Sequence, residues 1–349
     1  MDWHKIMVAP IDAISQQAAI ERQQTLTKPP GSLGTLENVA IRLAGMQGRA
    51  QPAADKIHIA VFAADHGVAA EGVSAFPQAV TAEMVCNFGR GGAAINVLAN
   101  DLQANLEIIN LGTIAELEPL VNVSNARISA GTANFTRQAA MDDQQLQLAL
   151  QAGEQAVRRA QYNGAELFIG GEMGIGNTSS ATAVACALLG LPAAQLAGPG
   201  TGLDSKGVLH KIKVIQKALD LHTANIHSPM DALRYVGGYE IAALVGSYLS
   251  CARTGIPVLI DGFIASVAAL CASRMHNNAL DWFIFSHESA EPGHQAVLKA
   301  MEEEPLLSLG MRLGEASGAA VAVPLIRIAC KLHNGMATFD EAMVSEKKG

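Results

Sequence analysis

The sequence predicts an α/β protein: a doubly wound, mostly parallel, Rossmann-like sheet with helices on both faces, plus a smaller helical unit made from the chain ends. Three observations carry this prediction. From about residue 57, short apolar runs alternate with longer small-residue stretches of helical character. The runs are four to eight residues long and rich in β-branched or aromatic side chains, which favours buried strands over helices. Strand and helix alternate so often that a parallel sheet covered on both faces is implied.

Taken in order, residues 11–50 read as helix, loop, helix, with the turn-forming KPPGSLG (Lys28–Gly34) between. Strand Ile57–Ala64 (IHIAVFAA) runs into Asp65-His66-Gly67, and a helix is expected over Thr81–Ala99. Strand Leu106–Leu111 stops at Gly112-Thr113, followed by a helix over Asp143–Tyr162. Strand Glu166–Gly170 opens into GGEMGIGNTSSATA (Gly170–Ala183), whose glycines and small hydroxyl residues precede a helix over Asn177–Leu189. Helices over Ser205–Leu221 and Glu240–Thr254 lead to strand Pro257–Ile260, which ends at Asp261-Gly262. A helix over Ile264–Met275 and strand Trp282–Phe285 follow, the latter ending at Ser286-His287-Glu288-Ser289. Residues 302–343 read as helical again. The expected division is a large α/β domain over 51–301 and a smaller helical domain from 1–50 with 302–349. Polar and glycine residues thus gather at the carboxyl end of nearly every strand, the edge where doubly wound sheets bind ligands.

Composition narrows the function classes. The chain has 349 residues, half of them hydrophobic and 4% aromatic, with a formal charge of -8. No basic run is longer than the two residues of Lys347-Lys348, which argues against nucleic acid as a partner, since phosphate backbones are held by clustered Lys and Arg. The five cysteines are scattered without a two-residue spacing, so neither a zinc site nor a disulfide framework is indicated. MDWHKIMVAP lacks a signal-peptide layout, and no apolar run reaches the roughly 18–20 residues of a membrane span. A cytoplasmic protein without membrane span, metal or cofactor is expected.

Four stretches carry chemistry. The loop Gly170–Ala183 is not a P-loop, and Gly174-Ile175-Gly176-Asn177-Thr178-Ser179 misses the last glycine of the dinucleotide fingerprint. It reads either as a phosphate site at a helix N-terminus or as a tight turn capped by Asn177 or Thr178. Glu172 within it is an acid where an anion would bind. Glu315 is the only acid between Leu313 and Arg327; it is a desolvated base or a first-turn glutamate favoured by the helix dipole. Asp65-His66 reads first as a pair ordering a loop. Lys211 shares its helix with Lys206 and Lys213, and spacing alone does not single out one that reaches a phosphate.

Together the blocks KPPGSLGTLE (Lys28–Glu37), AADHGV (Ala63–Val68), GGEMGIGNTSSA (Gly170–Ala181), HKIKV (His210–Val214), VGGYE (Val236–Glu240), PVLIDGF (Pro257–Phe263), SHESAEPGH (Ser286–His294) and MRLGEASGAA (Met311–Ala320) closely resemble the nicotinate-nucleotide–dimethylbenzimidazole phosphoribosyltransferase family of cobalamin biosynthesis. The resemblance spans nearly the whole chain. It implies transfer of the phosphoribosyl group of nicotinate mononucleotide to a benzimidazole base, by a homodimer acting on small molecules. Glu315 falls on the family's catalytic base, with Glu172 and Lys211 as supporting groups. Phe76, Met84, Met173 and Leu313 would line the slot for the base. Further substrate contacts are expected at Gly174, Gly176, Asn177, Thr178, Gly202, Asp261 and Ser289. The competing readings are a paralogue for another aromatic base or a phenol, and a nicotinamide-dinucleotide-dependent dehydrogenase. Gly112-Thr113 stand where the latter would carry a ribose-binding acid.

Overall fold

In the computed structural model, which describes Trp3 and residues 6–345, six strands form one sheet. They are β1 (Ile57–Ala64), β2 (Asn105–Gly112), β3 (Val123–Asn125), β4 (Leu167–Met173), β5 (Val258–Ile260) and β6 (Phe283–Phe285). The order is β3-β2-β1-β4-β5-β6, and every neighbouring pair is parallel. This is the doubly wound arrangement, with the order reversing between β1 and β4. Every residue of β1 is buried, and full burial of side chains such as Val61 and Phe62 contributes about 1.5–3 kcal/mol each.

The close packing of β4 explains a dipeptide that propensity disfavours in a strand. A Cβ on Gly170 would lie 2.5 Å from Leu244 Cδ2 in the helix Tyr239–Thr254. A Cβ on Gly171 would lie 2.7 Å from the Ala316 nitrogen. Successive strand residues face opposite sides, so a helix presses on one face of β4 and a backbone turn on the other. Only glycine leaves room for both.

Several expected elements differ from those observed. The helix expected over Thr81–Ala99 is two, Ala79–Arg90 and Ala94–Leu102, because Gly91 takes a left-handed conformation (φ 83°) and caps the first. The edge strand β3 is absent from the expected elements; its three residues are half-exposed or exposed and make no apolar run. β4 continues to Met173, pairing Glu172 with Phe62, so Glu172 lies in a strand and the loop begins after it. Residues 302–316 are mostly loop where helix is expected. Pro305 and two left-handed glycines, Gly310 and Gly314, prevent the helix there. The helix Ser317–Gly335 then packs on Thr35–Gln47, on Ala94–Leu102 and on β4.

All five cysteines are free, and all but Cys86 are buried. Among the described residues no helix is long and apolar enough to cross a membrane.

Candidate active site

A cavity of about 430 Å³ opens at the carboxyl edge of the sheet, where β4, β5 and β6 end. Two helices begin on its wall, Asn177–Leu189 and Phe263–Met275, and the turn Gly314–Glu315 that leads into a third, Ser317–Gly335, lines it as well. The first starts on Gly176, which is left-handed (φ 99°), and no side chain caps it. The starts of Asn177–Leu189 and Phe263–Met275 have no side-chain cap, so the positive ends of their dipoles face a common space, the setting in which anions bind.

Against these positive ends stand four carboxyl groups on the wall: Glu172, Asp261, Glu291 and Glu315. Asp261, at the end of β5, is buried, and its Oδ1 accepts the Ala319 N–H at 2.8 Å, capping the helix Ser317–Gly335 from below. Burial pushes its pKa up to about 6, opposed by backbone N–H groups of Ala319 and its neighbours. Glu172 is buried in β4 and accepts a hydrogen bond from the Asn177 side-chain amide. Burial first, then the charges of Asp261, Glu240 and Glu315, hold its carboxyl well above the ordinary range. The surroundings therefore favour its neutral form more than they would for an exposed glutamate.

Glu315 sits on a strained turn. Gly314, Glu315 and Ala316 are all left-handed, at φ 86°, 62° and 68°. For the two that carry a Cβ this costs about 1 kcal/mol each. A Cβ on Gly314 would lie 2.4 Å from Glu172 Oε1, so the two acids approach only because 314 is glycine. The turn precedes the helix, so Glu315 is not a first-turn residue of it. Its side chain is 5% exposed and lines the cavity, and its Oε2 is buried without a partner among the described residues. Burial, with a smaller push from Asp261, raises its pKa to about 7, against a hydrogen bond from the Ile95 backbone. A carboxyl so placed exchanges a proton readily near neutral pH.

Much of the remaining wall is apolar. Phe76, Met84, Met173 and Leu313 line it as expected, joined by Val80 and Ile175. Gly174, Asn177, Thr178 and Ser289 also line it. Three expected residues lie off the wall. Gly176 backs onto His66, 3.2 Å from where its Cβ would be. Gly202 belongs to a turn that presents Gly200 and Thr201 to the cavity instead. Lys211 is wholly buried behind Thr178, with Nζ donating to Thr178 Oγ1 at 2.8 Å and Gly198 O at 3.2 Å. Burial brings its pKa down to about 8, with Glu291 opposing.

Sequence reasoning missed Arg312, which among the described residues is the one Lys or Arg lining the cavity. Its Nη1 donates to Gly200 O at 3.0 Å. The available signal was its place as the sole cation in the block Met311–Ala320. Also missed was His287, whose ring covers Gly318 and lines the wall; burial lowers its pKa and keeps it neutral. Asp65 and His66 order a loop, as their first reading has it. His66 Nε2 lies 2.7 Å from Glu240 Oε1, and Asp65 accepts the Ile114 N–H at 2.8 Å.

Comparison with known proteins decides the family. A phosphoribosyltransferase family model matches residues 8–344. The chain belongs to this phosphoribosyltransferase family. It is 57% identical over 347 residues to the nicotinate-nucleotide–dimethylbenzimidazole phosphoribosyltransferase of Pseudomonas aeruginosa (strain LESB58), covering 99% of both chains. A Pseudomonas putida phosphoribosyltransferase of the same name is 56% identical over 99% of this chain and 98% of its own. The solved structure of the corresponding phosphoribosyltransferase from Thermus thermophilus superposes with a TM-score of 0.91 at 41% identity, covering 97% of this chain and 100% of that one.

Proposed function

We propose that this chain transfers the phosphoribosyl group of nicotinate mononucleotide to 5,6-dimethylbenzimidazole, giving α-ribazole 5′-phosphate and nicotinate in nucleotide-loop assembly of cobalamin biosynthesis. The observation that carries the proposal is one cavity holding a buried carboxyl raised to about 7, an apolar slot and the N-terminus of Asn177–Leu189, which no side chain caps. Membership of the family and the names of its relatives support the same reaction.

The chemistry needs little else. The pyridinium of the donor carries a positive charge and departs as neutral-ring nicotinate, taking the C1′–N bonding pair, so no acid is needed to assist it. As one imidazole nitrogen attacks C1′, the other must lose its proton. Glu315 takes that proton, a step that contributes about 10²–10⁴-fold in such transfers. Phe76, Met84, Met173 and Leu313 hold the flat methylated ring in line with the sugar carbon. The phosphate sits at the N-terminus of Asn177–Leu189, with Ser289 and Arg312 beside it. Lys211 acts from behind, through Thr178.

Glu172 faces the ribose and pyridinium. A cationic ring placed near it opposes the effect of burial and favours its carboxylate form, which stabilises the positive charge that builds on the sugar. Homodimerisation in the cytoplasm completes the reading: Phe76 and Leu313, each more than half exposed at the mouth, are surfaces a second copy would cover.

The test is to incubate the protein with nicotinate mononucleotide and a panel of benzimidazoles, phenols and purines, measuring nicotinate and the ribosylated product. Fastest transfer to 5,6-dimethylbenzimidazole supports the assignment. Product with none of them, or a faster phenol or purine, refutes it.

A further inference from the structure

Glu291 is buried in the cavity wall, and the transfer chemistry gives it no part. An acid beside a phosphate site is adverse unless it is engaged elsewhere. Its Oε1 accepts the Gly200 N–H at 3.0 Å. Its Oε2 would stand 2.2 Å from a Cβ on residue 198, so the carboxylate reaches the turn only because 198 is glycine. The same turn is held by two cations. Lys211 donates to Gly198 O and to Thr178 Oγ1, and Arg312 donates to Gly200 O. Two cations and one carboxylate leave the turn with a net positive charge. The carboxylate also offsets the burial of the Lys211 ammonium, as a buried ion requires.

We propose that Glu291 is a positioning residue for the phosphate of the donor: through Gly200 it fixes the Arg312 guanidinium, and beside Lys211 it fixes Thr178, so that the phosphate meets a preformed clamp. This rests on the reading that the donor is a ribosyl 5′-phosphate bound between Thr178 and Arg312. A carboxylate is required because an amide could accept the Gly200 N–H but would leave Lys211 without its counter-charge. The effect falls on the phosphate first, since the Glu291 side chain engages the turn Gly198–Gly200 rather than Glu315 or the base slot.

The experiment compares nicotinate mononucleotide with nicotinate riboside, which lacks the phosphate, in the wild type, Glu291→Gln, Arg312→Ala and the double variant. Glu291→Gln is expected to raise KM for the nucleotide about tenfold, with kcat within about threefold, as loss of a charge-assisted contact does. Transfer from the riboside should change less than about twofold, and the double variant should be worse than Arg312→Ala by clearly less than about tenfold, since only the Thr178 route is left to lose. Equal losses with nucleotide and riboside, a fall in kcat at constant KM, or multiplicative losses in the double variant would overturn the proposal. Should Glu291→Gln not fold, Glu291→Asp keeps the charge with shorter reach. It is read on the same scale, with a smaller KM rise for the nucleotide alone as the supporting result. A wild type that uses riboside as well as nucleotide instead removes the phosphate reading beneath it.

Discussion

Replacing Glu315 by Gln should slow the enzyme and stabilise it at once. Glu315 is 5% exposed, and burial raises its pKa to about 7 from an ordinary value of 4.5. A folded-state pKa raised above the unfolded one means that stability is intact below pH 4.5 and lost as the pH rises through about 7. That gap corresponds to at most about 3–4 kcal/mol, and to roughly 1–2 kcal/mol once partial solvent screening is allowed for. Glutamine keeps the volume and can still accept from the Ile95 backbone, but carries no charge. At pH 8 the variant should therefore melt about 2–4 °C higher than the wild type, and below pH 4.5 no higher. In the same variant transfer falls about 10²–10⁴-fold, because the imidazole proton has no acceptor. The assays are thermal unfolding at the two pH values, nicotinate release, and calorimetric titration of nicotinate mononucleotide, whose binding should change little. A variant that keeps more than a tenth of wild-type transfer, or melts lower at pH 8, refutes the assignment of Glu315 as a buried, ionising base.

Two other substitutions probe the surroundings of this base. Glu172→Gln removes the charge that meets the ribose, so the single-turnover rate should drop about 10–100-fold while KM for the nucleotide moves less than threefold; an unchanged rate removes Glu172 from the chemistry. Gly314→Ala forces a Cβ into left-handed backbone beside Glu172, which should cost at least about 1 kcal/mol in unfolding measurements and about tenfold in transfer, and wild-type behaviour in both would show that the turn does not set the geometry of the two acids.

Much of this architecture is legible in the residues. β1 is an uninterrupted run of buried apolar side chains, and its observed limits are those the sequence predicts. Asn177–Leu189 is also legible, since glycines before it and Gly190 after it punctuate its ends. The failures have physical causes. β3 is stabilised by pairing with β2 rather than by any pattern of its own, so only the folded sheet reveals it. The split at Gly91-Gly92 is readable from the glycine pair, yet apolar periodicity on both sides masks it. In the site, the polar residues at the strand ends follow from the rule that ligands bind at the carboxyl edge, whereas the slot residues Phe76, Met84, Met173 and Leu313 come only with the family resemblance. Arg312 and Glu291 do not. Their roles depend on a turn, Gly198–Gly202, brought to them from far along the chain, and nothing local marks such a contact. Lys211 shows the converse: the family resemblance singles it out among its neighbours, but its complete burial behind Thr178 is a property of packing.

The pH dependence of a single turnover with the wild type tests the central claim most directly. With both substrates saturating, the transfer rate should rise about tenfold per pH unit on the acid side and level off above an apparent pKa near about 7, and Glu315→Gln should abolish this rise. A rate that is flat from about pH 5.5 to 9, or a rise that survives in Glu315→Gln, would contradict the account.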